Sequence, residues 1–81
     1  MEKDKSLARM KDRIFMAVIA DEQLINLYRY DPYDFASIED GLSSENVVIN
    51  AIAQIIEGAS NGSSPKYIYN AVFEYLSERA I

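Results

Sequence analysis

The sequence contains no cysteine and no histidine among its 81 residues. Without cysteine there is no disulfide and no thiolate nucleophile, and without histidine there is no imidazole general base. The usual ligands of structural zinc are therefore missing together. The chemistry that remains is that of carboxylates, hydroxyls and a few amines. We therefore expect a protein that is not an enzyme and that uses no catalytic residues, no metal and no cofactor.

Long apolar runs are absent as well, and we expect no leader segment. No apolar stretch approaches the roughly 18 residues that suggest a membrane span. The first residues lack the basic segment, apolar run and cleavage site of a signal peptide. Gly58 and Gly62 lie in a Ser/Asn-rich stretch without the Gly-Lys-Ser/Thr of a phosphate loop. We expect a soluble, cytoplasmic protein with no membrane contact and no nucleotide site.

The charges are distributed unevenly along the chain, which has a net charge of −5. Residues 21–57 hold eight acidic residues against Arg29 alone, a net charge of −7. Nucleic-acid binding needs a concentrated basic surface. We therefore expect no direct nucleic-acid contact as the main activity, and weak binding through the basic N-terminal helix remains an alternative. The basic residues of that helix are Lys3, Lys5, Arg9, Lys11 and Arg13.

Residues 45–57, ENVVINAIAQIIE, determine the predicted fold. Their polar side chains form one narrow helical stripe, and nearly all of the others are apolar. A helix that is apolar over most of its circumference must be buried. The sequence therefore predicts an all-α domain over residues 1–81, a compact bundle of four to five short helices around this central helix. Ser43 is its predicted N-cap, with Leu42 packed on Val47 as a hydrophobic staple.

The segment before the central helix is also predicted to be helical. Residues 5–30 contain neither glycine nor proline, and apolar residues recur at helical spacing. One continuous helix and a break at Asp21, an acceptable N-cap, are nearly equal alternatives, with the break slightly favoured. A short helix is then predicted from Pro32 to about Glu39, ended by Gly41. Its capping residue is Asp31, and Tyr30 is expected to staple onto Phe35.

The last helix is predicted to begin at Ser64-Pro65, again as a cap followed by proline. Its apolar face comprises Ile68, Val72, Tyr75 and Leu76. The stretch from Gly58 to Ser64 is predicted to form an exposed connection with a left-handed helix end.

Aromatic and acidic residues interleave in YRYDPYDF, residues 28–35, and the acidic residues continue to Asp40. One interpretation is that the rings close the core between helices, which small domains need. The other is that they form an acidic, aromatic-edged surface that binds a basic surface of another protein. We hypothesise an inhibitor or regulator of this second kind, acting by phosphate charge mimicry where its partner binds nucleic acid. The expected partner-binding residues are Tyr30, Asp31, Tyr33, Asp34, Glu39 and Asp40.

A structural role is the second hypothesis. The first and last helices carry apolar residues beyond one stripe, and a chain of this length has little else to cover them. We expect another chain to cover part of this surface, either a second copy in a homodimer or larger homo-oligomer, which is the commonest solution, or a different protein. The residues concerned are Phe15, Met16, Ile19, Tyr67, Tyr69 and Ile81.

Overall fold

Five α-helices make up most of the part of the chain that a computed structural model describes. The described residues are 2–59 and 63–79, and side chains are described for residues 6–59 and 63–79. No strand occurs within these ranges, so the all-α prediction is confirmed. No helix among the described residues is both long enough and apolar enough to cross a bilayer. The helices are α1 (Glu2–Ile19), α2 (Glu22–Tyr28), α3 (Ile38–Leu42), α4 (Val47–Glu57) and α5 (Pro65–Arg79), with a 3-10 turn at Pro32–Asp34.

Helix α4 lies at the centre and packs against α1, α3 and α5, as predicted. Ile49, Ile52 and Ile56 have no exposed surface because they recur on the face that meets these helices. The burial is not complete around the helix, since Val47 is 69% exposed. The rest of the core comes from the facing helices and is formed by Ile14, Phe15, Val18, Ile19, Ile38, Ile68, Val72 and Leu76, together with Val48 and Ala53 of α4.

The first segment is broken at Asp21, so the slightly favoured alternative is confirmed. Helix α1 ends at Ile19. The Oδ1 of Asp21 then accepts hydrogen bonds from the N–H groups of Gln23 (2.9 Å) and Leu24 (3.2 Å), which caps α2. Helix α2 has no buried residue and lies at the edge of the bundle. It ends at Arg29, which adopts a left-handed conformation with φ of 54°.

The predicted helix from Pro32 to Glu39 is wrong, although its start is confirmed. Asp31 Oδ1 accepts the Tyr33 N–H at 2.9 Å, and Pro32 follows as the first turn residue. The turn ends at Asp34 because Phe35 is extended, with φ of −118° and ψ of 122°. Its ring then meets the Phe15 ring edge-on at 6.1 Å, so core packing overrides local helix propensity.

Helix α3 begins only at Ile38, and Gly41 lies inside it and is buried, instead of ending a helix. The predicted start of α4 is also wrong. Its N-cap is Asn46, whose Oδ1 accepts the N–H groups of Val48 (3.0 Å) and Ile49 (3.2 Å). Ser43 instead ends α3. The proposed staple to Leu42 fails because Val47 is the first residue of α4 and is mostly exposed.

The last helix begins as predicted, with the Oγ of Ser64 accepting the Tyr67 N–H at 3.2 Å. Its predicted apolar face is confirmed by the burial of Ile68, Val72 and Leu76. Gly58 is right-handed, with φ of −76°, so it does not form the left-handed helix end that was predicted within residues 58–64. Residues 60–62 of this stretch lie outside the described residues, so the prediction is not tested there.

Fewer apolar side chains of α1 are left uncovered by the rest of the chain than the sequence indicated. Phe15 and Ile19 are fully buried in the core, so the prediction that they need a second chain to cover them is wrong. The break after α1 explains this result, because the chain that turns back at residues 30–35 brings aromatic rings over the end of α1. Tyr67 remains 66% exposed, and Ile81 lies outside the described residues.

Gly41 allows α3 to approach α1 and α4 closely. A Cβ at this position would lie 2.4 Å from the Cζ of Phe15 and 2.9 Å from the Cβ of Ala53. Both neighbours are fully buried and have little room to move. The position therefore requires a residue without a side chain.

We predict that Gly41→Ala lowers the free energy of unfolding by about 1–3 kcal/mol, because the new methyl group overpacks the Phe15 ring. Each kcal/mol corresponds to a fall of about 4–8 °C in Tm for a domain of this size. The control is Gly58→Ala, where φ is helical and the added Cβ would meet the carbonyl oxygens of Gln54, at 3.2 Å, and Ile55, at 3.8 Å, but no buried side chain. Thermal melts of the two variants compare them, and equal Tm values would contradict the close packing at Gly41.

Candidate protein-binding surface

Residues 30–40 form a turn that is fixed at both ends, and we call it the acidic turn. At one end the hydroxyl of Tyr30 donates to the carbonyl oxygen of Ile19 at 2.7 Å. At the other end the N–H of Ile38 donates to the Oδ1 of Asp12 at 2.9 Å. The Phe35 ring packs edge-on against Tyr30, at 6.3 Å between centroids, as the predicted staple requires. The backbone between these points is therefore held against α1.

The predicted site residues on the acidic turn are mostly exposed. Tyr33 is 94% exposed, although its neighbours Tyr30 and Phe35 are partly buried. The turn contains four carboxylates and no lysine or arginine. All four of them, Asp31, Asp34, Glu39 and Asp40, belong to exposed residues. The structure thus places an accessible ring and the negative charges together on one segment that is hydrogen-bonded to α1 at both ends.

The predicted site residues differ in what they do for the fold. Asp31 caps the 3-10 turn, and Asp40 Oδ2 accepts the Ala36 N–H at 2.7 Å. Tyr30 closes the core, as the first of the two interpretations expected. Within the part of the chain that the structure describes, the side chains of Tyr33, Asp34 and Glu39 form no hydrogen bond. These three residues are therefore available to a partner without cost to the fold.

Burial raises the pKa of Tyr30 to about 12, and the negative charge of Asp21 adds to this increase. Both effects disfavour the phenolate. The neutral hydroxyl keeps its hydrogen bond to Ile19, which satisfies the last carbonyl group of α1.

A polar connection between α1 and the ends of two other helices was not predicted from the sequence. Lys11 is only 8% exposed, and its Nζ donates to the carbonyl oxygen of Glu57, at the end of α4, at 2.7 Å. The next residue, Asp12, bonds the first N–H of α3, where Ser37 provides no side-chain cap. One signal was present in the sequence, because Lys11 lies four residues from both Leu7 and Phe15 and therefore on the apolar face of α1.

These contacts surround a groove of about 530 Å³ between α1, α3 and the end of α4. Leu7, Ala8 and Leu42 contribute apolar surface to it. Glu39 of the acidic turn also lines it, so the turn and the groove are continuous. No three acidic residues in the described ranges are grouped closely enough to hold a metal ion.

The burial of Lys11 also changes the basic N-terminal surface. Only 8% of Lys11 is exposed, and its ammonium group bonds the carbonyl oxygen of Glu57, so Lys11 adds little charge to an exposed basic surface. Weak nucleic-acid binding by this helix stays a prediction. Arg9 and Arg13 are exposed and line a groove of about 430 Å³ with Tyr69. The side chains of Lys3 and Lys5 lie outside the described residues.

A separate apolar surface lies between α2 and α5. Leu27 is 64% exposed and Phe73 is 48% exposed, and both line one groove of about 240 Å³. Leu24 and Leu76 also line this groove.

Comparison of the chain with protein-family models, with curated proteins and with solved structures found no match.

We predict that one of the six tyrosines ionises near pH 12 in the folded protein and that Tyr30→Phe removes this transition. In the unfolded chain Tyr30 ionises near its ordinary pKa of 10. Its contribution to stability is therefore complete below pH 10 and is lost as the pH rises through 12. The ultraviolet absorbance of tyrosinate measures the titration.

At neutral pH, Tyr30→Phe should also lower the free energy of unfolding by about 1 kcal/mol, because the carbonyl group of Ile19 loses its partner. The control Tyr33→Phe removes a hydroxyl from a ring that is 94% exposed and should change neither the titration near pH 12 nor the Tm. A high-pH transition that persists in Tyr30→Phe would contradict the assignment.

Proposed function

We propose that the protein acts by binding another protein, as an inhibitor or regulator, and that its acidic turn docks on a basic surface of that partner. The observation that supports this most directly is Tyr33, which is 94% exposed on a backbone that is fixed at both ends. Tyrosine is among the residues that dominate binding energy at protein interfaces. A ring that the fold itself does not need is a suitable anchor for a partner.

The rigidity of the turn supports the proposal. Association orders side chains and loops, and each immobilised side chain costs about 0.5–1.5 kcal/mol. Here Asp31 caps the 3-10 turn and Asp40 bonds Ala36, so the backbone that carries Tyr33 is ordered before a partner arrives. Preorganisation of this kind raises affinity without any additional contact.

The charge of the turn determines what kind of partner fits. Four carboxylates without a basic residue give residues 30–40 a net charge of −4. Such a surface attracts a basic partner, accelerates encounter and repels acidic proteins. Where the basic partner surface binds nucleic acid, the carboxylates take the place of phosphates and the protein acts as a competitor of that nucleic acid.

We expect immobilised protein to capture a partner from an extract of its native host, and Tyr33→Ala to weaken that capture at least tenfold through loss of the anchoring ring. Asp34→Lys should weaken it as well and reduce its dependence on salt. The matched controls are Tyr67→Ala, which removes another exposed ring, and Glu74→Lys, which makes the same charge change on α5.

The amount of each captured protein is measured on five baits, the wild-type chain and the four variants, over a series of salt concentrations. Capture that survives both turn variants at full strength, or that the two controls weaken equally, would rule out the acidic turn as the binding surface. Circular dichroism confirms that each variant is folded.

A structural subunit that forms a homo-oligomer is the second candidate, and the exposed pair Leu27 and Phe73 favours it. Two apolar side chains on the same groove are a small surface that a second copy could cover. Light scattering over a range of concentrations should then show a mass above that of one chain. Phe73→Glu should return the mass to one chain, whereas the control Tyr67→Glu should not. A wild-type monomer at every concentration would exclude this candidate.

A further inference from the structure

We propose that the groove between α1, α3 and the end of α4 binds a basic peptide segment of the partner, an inference that rests on the proposed function and names the second part of the same interface. The groove measures about 530 Å³, which lies within the range of about 300–1,000 Å³ for ligand sites. Leu7, Ala8 and Leu42 provide apolar surface, so the site can hold the aliphatic part of a side chain.

The charges in the groove favour a cationic occupant. Asp12, Glu39 and Glu57 line it from three different helices. The single cation among the lining residues is Lys11. The net charge of these four residues is −2, so lysine and arginine side chains are attracted and anionic ligands are repelled.

Lys11 favours a ligand that also carries a hydrogen-bond acceptor. A ligand whose only polar group is an amine would not provide one. An ammonium group carries three N–H donors, and Lys11 donates one of them to the carbonyl oxygen of Glu57. No second acceptor is bonded to it among the residues that the structure describes. Because the side chain is 8% exposed, its remaining donors gain most from an acceptor brought by a ligand.

A peptide satisfies both requirements. Its main-chain carbonyl groups are neutral acceptors for Lys11, and its lysine or arginine side chains can meet the carboxylates. A free carboxylate or phosphate would bond Lys11 but would face three like charges. Glu39 belongs to both the acidic turn and the groove, so a partner that contacts Tyr33 can continue into the groove with the same basic segment.

The test uses a pool of acetylated, amidated hexapeptides composed of lysine, arginine, leucine, valine and alanine. We expect this basic pool to shift the backbone amide NMR signals of Leu7–Asp12 and Ile38–Leu42 in the full chain. A second pool, with aspartate and glutamate in place of lysine and arginine, should cause no such shifts. Equal shifts from both pools, or none from the basic pool, would overturn the proposal.

Two variants locate the binding in the groove. Ala8→Phe places a large ring in it from an exposed position on α1, and it should weaken binding of the basic pool at least tenfold. The matched control Ala17→Phe puts the same ring at another exposed position of α1 and should bind normally. Glu39→Lys should weaken binding through charge alone. Binding that neither Ala8→Phe nor Glu39→Lys changes would show that the peptides bind elsewhere.

The same variants separate this inference from the proposed function. If the partner captured from the host is lost with Tyr33→Ala but retained at full strength by Ala8→Phe, the groove proposal is wrong and the acidic turn remains the binding surface. If Tyr33→Ala and Asp34→Lys leave capture unchanged, the proposed function is wrong. The shifts with the basic pool then decide independently whether the groove binds peptides.

Discussion

The structure depends on polar side chains that bond the ends of helices other than their own. Every helix leaves N–H groups at its start and carbonyl groups at its end without internal partners. In this protein Lys11 and Asp12, adjacent on α1, bond the end of α4 and the start of α3. Hydrogen bonds to charged groups contribute about 1.5–3 kcal/mol each, and a cation at a helix C-terminus or an anion at an N-terminus also matches the helix dipole. These hydrogen bonds at the helix ends therefore add to the stability that the small hydrophobic core provides.

The polar stripe of α4 has the same role. Asn46 caps its own helix and also donates through Nδ2 to the carbonyl oxygen of Tyr28, at the end of α2. Asn50 donates to the carbonyl oxygen of Leu42, at the end of α3. Residues that a helical projection assigns to the solvent side therefore join neighbouring helices. This use of polar groups separates the residues that hold the fold together from exposed residues whose side chains form no hydrogen bond within the described part of the chain, chiefly Tyr33, Asp34 and Glu39.

The parts of the fold that periodicity and capping rules determine could be predicted from the sequence. The apolar face of α4, the cap at Asp21 and the start at Ser64-Pro65 are local signals, and each was confirmed. The helix across residues 32–39 was wrong because the extended conformation of Phe35 is stabilised by the Phe15 ring, which is distant in sequence. The burial of Lys11 was missed for a similar reason, since its acceptor lies 46 residues away. At the candidate site the charges could be predicted, but the contrast between partly buried Tyr30 and exposed Tyr33 required the tertiary structure.

Helix α3 is five residues long, and both of its ends are bonded by side chains from other helices. A helix this short has no stability of its own in water. Its helical conformation is therefore stabilised by its contacts with α1 and α4 and not by its own length. The acidic turn leads directly into α3, so the position of its exposed carboxylates depends on the packing of α3 against α4 and against α1, which is distant in sequence.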